Sequence, residues 1–264
     1  MLRVLTIVCL IASSAPARSV SSQAPVVARP PVNTAPVWVI LVDDLHLDFT
    51  STGHIQELLR TITSQLPQNG DLTGIVSTGP SSIAFDLTTD RTGIAGVIKN
   101  VSGAAMKPSE ILDAMDSQRS EARHRAHVTL STAADVISML GRVESPHKAL
   151  VYVSNGYNVD VLPGTPRSDT NPFLAKDAIT DERLRAEVAE LTHQATAANV
   201  TIYAINFGGM REHPTRDPRV QDPAVWDKYR ATTRRSLEVI AEETGGFAIQ
   251  DDLEGGLKRI SGMR

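Results

Sequence analysis

The sequence predicts an α/β domain: three layers, with a mostly parallel central sheet, helices on both faces and one antiparallel edge strand. Three observations carry this. Short, continuous, β-branched apolar runs (VWVILV at 37–42, ALVYVS at 149–154, VTIYAIN at 200–206) read as strands buried on both faces. Amphipathic helical stripes separate them, and that alternation packs as a covered parallel sheet. The composition is globular, with 264 residues, 41% hydrophobic and 21% charged.

The strand at Val37–Val42 leads to a helix over Gly53–Leu66, where Ile55, Leu58, Leu59, Ile62 and Leu66 share one face. Thr50, Ser51 or Thr52 can cap it, and Pro67 stops it. Leu72–Ser77 and Ile83–Leu87 form a hairpin-like pair about Gly79-Pro80 and supply the antiparallel edge. Thr92–Val101 is a short helix, and Ala126, Leu130, Ala133, Ile137 and Leu140 line another that ends near Gly141. After Ala149–Ser154, the stripe Leu184, Val188, Leu191, Ala195 and Ala198 places a helix over Asp181–Asn199, with Asp181 and Glu182 suited to the positive end of its dipole. Val200–Asn206 follows. Asp222-Pro223 caps and opens a helix to Thr244, and Gly245-Gly246 ends it. Phe247–Gln250 is the last strand and Leu253–Ile260 the closing helix. Trp38 reads as core, and so do Trp226 and Tyr229 on one helix face.

Met1–Ala17 has a basic start at Arg3, an apolar stretch at Val4–Ala12 and the small-x-small site Ala15-Pro16-Ala17, the pattern of a secretory signal. The stretch is too short for a hydrocarbon core, which needs roughly 20 residues. Residues 18–36 are a Ser/Pro-rich tether, and 37–264 form the domain. Cys9, the single cysteine, leaves with the signal, so no disulfide framework or Cys-based zinc site is available. The expected location is secreted or periplasmic, with no transmembrane segment in the mature chain. A net charge of −4 and a pI near 6.0 exclude a general nucleic-acid binder.

In open α/β sheets, ligands bind beyond the carboxyl ends of the strands. The first strand ends in Asp43-Asp44-Leu45-His46-Leu47-Asp48, whose carboxylates and imidazole suit a hard divalent cation. The alternative is that one aspartate caps the next turn and the others are solvated. Two long polar segments, Asn155–Ile179 and Phe207–Pro223, lie on the same face. The second carries Arg211, His213, Arg216 and Arg219, which suit an acidic partner. Tyr157, Asp160 and Arg167 are the contact candidates on the first. His124 and His127 sit i, i+3 in SEARHRAH, where a solvated charged face competes with a metal pair.

The order of elements resembles the von Willebrand factor type A (VWA) family, and most closely its secreted bacterial relatives. The resemblance rests on VWVILVDD (37–44), FDLTTDRTGIAGVIKNV (85–101), ALVYVSNGYN (149–158), ANVTIYAINFGG (198–209) and TGGFAIQDDLEGGLKRI (244–260). It covers 37–260 and implies a metal-ion-dependent adhesion site on the strand-end face. Asp43 matches the first aspartate of that site, but Leu45 and Leu47 stand where serines belong. A one-residue shift offers Asp44, His46 and Asp48 instead. Ser109 is the hydroxyl nearest to the family's threonine, and Asn155 replaces its last aspartate. The implied site is therefore degenerate, holding no ion or a weakly bound Mg²⁺, Mn²⁺ or Ca²⁺. In the family, another strand follows Ile260.

A phosphoacceptor receiver domain shares VILVDD (39–44) but needs an aspartate after a central strand and a lysine after a late one, where this chain has Asn155 and Asn206-Phe207. A secreted metal-assisted hydrolase using Asp43, Asp44 and His46, joined by Asn155 and His213, is the alternative function. The sequence has neither Gly-x-Ser-x-Gly nor His-Glu-x-x-His. The expected function is a non-enzymatic module that binds a protein partner through its strand-end loops.

Overall fold

Val37–Val42 has no charged side chain, forms strand β1 and is buried along its whole length. The computed structural model describes residues 35–112, 116–158, 172–210 and 217–263. The predicted signal, Cys9 and most of the tether lie outside the described residues. So do Asp160, Arg167, Arg211, His213 and Arg216.

After β1 come α1 (Thr52–Gln65), β2 (Leu72–Ser77), β3 (Ala84–Thr88), α2 (Arg91–Ile98), α3 (Pro108–Leu112), α4 (Asp116–Gly141) and β4 (Lys148–Ser154). The chain continues through α5 (Pro172–Ala197), β5 (Val200–Asn206), α6 (Pro223–Glu242), β6 (Ala248–Ile249) and α7 (Leu253–Ser261). Among the described residues the sheet order is β3-β2-β1-β4-β5-β6. All pairings are parallel except β2 with β3. The expected antiparallel edge is therefore present, and β1 lies mid-sheet.

Alternation along β1 divides the core in two. Val37, Val39 and Leu41 pack with the apolar stripes of α4, α5 and α6. Trp38, Ile40 and Val42 face the other way, toward α1, α2 and α7. Chain direction across the sheet reverses between β1 and β4, and the strand-end crevice of a doubly wound sheet opens at such a switch point. At the opposite end of the strands, Trp38 Nε1 donates to Asp71 Oδ2 at 3.0 Å, and this carboxylate also accepts from the Gln68 amide at 2.7 Å.

Several expected boundaries move. Helix α5 begins at Pro172, not Asp181, so Asp181 and Glu182 fall inside the helix and are not its first turn. Proline fits a first turn, where its missing N–H is no loss. The Asn155–Ile179 loop is shorter accordingly. Helix α3 forms in a stretch to which the sequence assigns no element, and Glu110 Oε2 caps its start by accepting from the Lys107 amide at 2.9 Å. Ser51 precedes α1 but makes no side-chain cap. The opening of α6 is as expected: Asp222 accepts from the Ala224 amide at 2.8 Å, with Pro223 next. No helix of the described residues is long and apolar enough to cross a membrane.

Candidate functional site

Asp43 follows directly on β1 and is fully buried. Among the described residues it accepts five side-chain hydrogen bonds. Its Oδ1 faces His46 Nδ1 at 2.9 Å, Thr129 Oγ1 at 3.0 Å and Thr78 Oγ1 at 3.1 Å. Its Oδ2 accepts from Ser154 Oγ at 2.7 Å and from the Tyr152 hydroxyl at 2.8 Å. These donors come from the β1–α1 turn, the end of β2, α4 and β4. A buried carboxylate without such partners would cost several kcal/mol. Here protein donors occupy both oxygens.

Burial raises the Asp43 carboxyl, but the facing His46 charge and the hydrogen bonds from His46, Ser154 and Tyr152 outweigh it and hold the group below its ordinary 3.8. Two phenols feel the reverse. Burial, and then the negative charge of Asp43, push Tyr152 and Tyr157 well above 10. Their hydroxyls are hydrogen-bonded to each other. The Tyr157 ring also meets His46 edge-on, with centroids 4.9 Å apart. Tyr157, expected on a partner-contacting loop, is thus buried.

Of the other residues of the predicted ion site, Asp44 meets Asp43 at a shared Thr78 hydroxyl, while Asp48, Asn155 and Ser109 contact other groups. Asp44 is buried, with Oδ1 taking Thr78 Oγ1 at 3.1 Å and Oδ2 taking the Ser81 amide at 2.8 Å. Asp48 caps the 3₁₀ turn Phe49–Ser51, accepting from the Thr50 amide and hydroxyl at 2.7 and 2.6 Å. Asn155 Oδ1 accepts from the Gly208 amide at 2.8 Å and so links the ends of β4 and β5. The Ser109 amide donates to Asp217 Oδ2 at 3.0 Å, while its hydroxyl is buried without a hydrogen-bond partner among the described residues. No group of three His, Cys, Asp or Glu among the described residues is placed to hold a metal ion. Protein donors already face an oxygen of each of Asp43, Asp44, Asp48 and Asn155. Of the groups of the hydrolase alternative, Asp43 and His46 face each other and Asp44 shares the Thr78 hydroxyl with Asp43, while Asn155 turns to the Gly208 amide.

Packing accounts for one of the two leucines that stand where serines belong, while Leu45 is partly buried and lines the cleft. Leu47 is fully buried in the same core as Ile55 and Leu59, so this position anchors the turn and does not face the site. The segment after α2 runs alongside that turn, with the Ala104 amide donating to Asp44 O at 2.7 Å and the Ala105 amide to Leu47 O at 3.0 Å. Gly103 permits the approach: a Cβ there would meet the Leu47 and Asp48 carbonyls. On the other side, Gly156 has φ +78°, and its neighbour Tyr157 donates its amide to Ser236 Oγ of α6 at 2.9 Å.

Beside this hub lies a cleft of about 1040 Å³. His46, Asn155 and Tyr157 line it, with walls from α4 and α6. Trp226 and Tyr229 belong to the α6 wall. They are half-buried and stacked, with centroids 5.8 Å apart, which corrects their expected place in the core. Burial pushes the Tyr229 phenol up to about 12. Arg219 also lines the cleft, and its amide donates to Asp217 Oδ1 at 3.0 Å. Phe49, beside the lining residues Asp48 and Thr50, is 69% exposed. His127 does not join a metal pair: its Nδ1 faces Glu187 Oε2 at 2.9 Å on the exposed side of α4, and His124 is exposed.

Sequence reasoning missed Thr78, Thr129, Tyr152 and Ser154. Thr129 carried a signal. It is the polar member of the stripe Ala126, Thr129, Leu130, Ala133 on a buried helix face.

No protein-family model and no curated protein matches the sequence. Among solved structures, the open conformation of the pilus adhesin SpaC from Lactobacillus rhamnosus GG aligns at 11% identity and a TM-score of 0.47, over 88% of this chain and 30% of that one. The D319A mutant of the PilB minor pilin from Streptococcus sanguinis aligns at 14% identity and a TM-score of 0.45, over 87% of this chain and 61% of that one. The N-terminal domain of TFIIH p34 aligns at 13% identity and a TM-score of 0.35, over 87% and 98%. The chain thus spans under a third of the adhesin's length, and likeness at this level leaves the ligand to be argued from the chain's own residues.

Proposed function

We propose that the chain is a non-catalytic, VWA-like protein-recognition module that acts outside the cytoplasm, needs no metal ion and takes its partner in the strand-end cleft. The single observation behind this reading is the state of Asp43. In a metal-dependent site this carboxylate would offer its oxygens to an ion and, through the ion, to the ligand. Here five protein donors engage them, so the carboxylate works as an internal tie beneath the cleft. Recognition then falls to the side chains of the rim. Phe49 suits this role, since a large exposed apolar side chain at a cleft edge can bury itself against a partner.

The test is photo-crosslinking in the native host. A crosslinking residue is placed at Lys107 or Asn158, both on the cleft, or at Gln68, at the opposite end of the strands. Adducts with a partner from the cleft positions alone, unchanged by a chelator, are expected. Adducts that vanish with chelator, or that form equally from Gln68, would overturn the proposal.

A further inference from the structure

We infer that the cleft takes an extended acidic peptide segment, gripped between arginines of α4 and α6. This rests on the recognition reading above and names its ligand. The chain carries a net charge of −4, yet along the described lining of the cleft cations outnumber carboxylates. The local charge is thus opposite to that of the whole molecule, and a cleft of one sign concentrates ligands of the other.

The arginines are regularly placed. Arg119 and Arg123 stand i, i+4 on α4, and Arg230 and Arg234 stand i, i+4 on α6; all four line the cleft. Four residues of helix rise roughly 6 Å, so each helix presents one cationic rung per turn at about that interval. An extended chain projects alternate side chains to one side at roughly 6.6 Å. Carboxylates at every second position of a strand-like segment therefore match the rungs. Guanidinium forks suit this task because they engage carboxylates through paired N–H bonds.

Two features favour a peptide over a polymer of dense charge. The lining also holds Asp48, Asp217, Asp227 and Asp251, which oppose a continuous polyanion but leave room for spaced carboxylates. The stacked Trp226 and Tyr229, one turn before Arg230 and Thr233, give the α6 wall an apolar stretch for the uncharged residues between acidic ones. Arg230 makes no ion pair or side-chain hydrogen bond within the described residues, whereas Arg234 shares Glu238 with Arg235.

The experiment uses the full chain and fluorescence polarisation with labelled probes: a peptide with glutamate at alternate positions, its glutamine counterpart, a single-stranded oligonucleotide and a sulfated polysaccharide. The glutamate peptide is expected to bind about tenfold or more tighter than the glutamine one, with a chelator having no effect. Raising salt from roughly 50 to 300 mM should weaken binding. The R123Q/R230Q variant should lose about tenfold, while R60Q/R142Q, altered away from the cleft, should not. Equal binding of the two peptides overturns the inference, as does tighter binding of the oligonucleotide or polysaccharide. Unchanged affinity in a folded R123Q/R230Q variant does the same. If the cleft crosslinks persist while the glutamate peptide fails, the recognition module stands and only its acidic ligand is refuted.

Discussion

The Ser154 hydroxyl at the end of β4 lies 2.7 Å from Asp43 Oδ2 at the end of β1. This bond joins the two strands between which the sheet reverses its order, and the same carboxylate also holds β2 and α4 through Thr78 and Thr129. Asp43→Asn keeps the shape but turns an amide N–H₂ toward hydroxyl donors. The expected cost is about 3 kcal/mol, and Tm should fall by roughly 6–12 °C for a domain of this size. Urea and thermal melts measure it, and a fall under about 2 °C would contradict the tie.

The pH dependence of stability should carry the same signature. The folded Asp43 carboxyl is depressed below 3.8, so its contribution is fully present above the unfolded value and is lost as pH falls through the folded one. The stability gap between the wild type and Asp43→Asn should be constant near neutrality and close below about pH 4. Urea titrations from pH 7 to pH 3, both approximate limits, check this. A gap that widens on acidification would show the sign to be wrong.

Gly156→Ala should be among the most damaging single substitutions. The residue has φ +78°, and an added Cβ would overlap the Thr233 carbonyl of α6. Strain and displacement together should cost about 3 kcal/mol or more. Gly53→Ala serves as the control, since a Cβ there meets nothing within 4 Å. Equal melting temperatures for the two variants would refute the close approach.

Divalent cations should leave stability unchanged. A ligand that binds only the native state raises Tm by mass action. With the oxygens of Asp43 and Asp44 already engaged by protein donors, about 1 mM Mg²⁺, Mn²⁺ or Ca²⁺ should shift Tm by less than about 1 °C. A larger rise, reversed by chelator and absent in Asp44→Ala, would restore the ion site.

The buried strands were legible because nothing but a two-sided sheet accommodates runs such as VWVILV. Asp43 was legible as a dense polar point straight after such a strand. Its partners were not, because Thr78, Thr129 and Tyr152 stand 35, 86 and 109 residues away in sequence and meet it only once the sheet has formed. Leu47 misled for a related reason. Alignment with a ligand loop marked it as a missing hydroxyl, whereas its packing makes it part of the core. Trp226 and Tyr229 show the limit of periodicity: a shared helix face indicates that two residues point the same way, not that another element covers them.

The two tryptophans divide the molecule's optical signal between its two ends. Trp38 is sealed in the core and tied to Asp71, while Trp226 is half-buried on the wall of the cleft. With Trp226→Phe, intrinsic emission tracks global unfolding; with Trp38→Phe, the remaining indole becomes a label-free gauge of cleft occupancy, so folding and ligand capture can be followed separately in one cuvette.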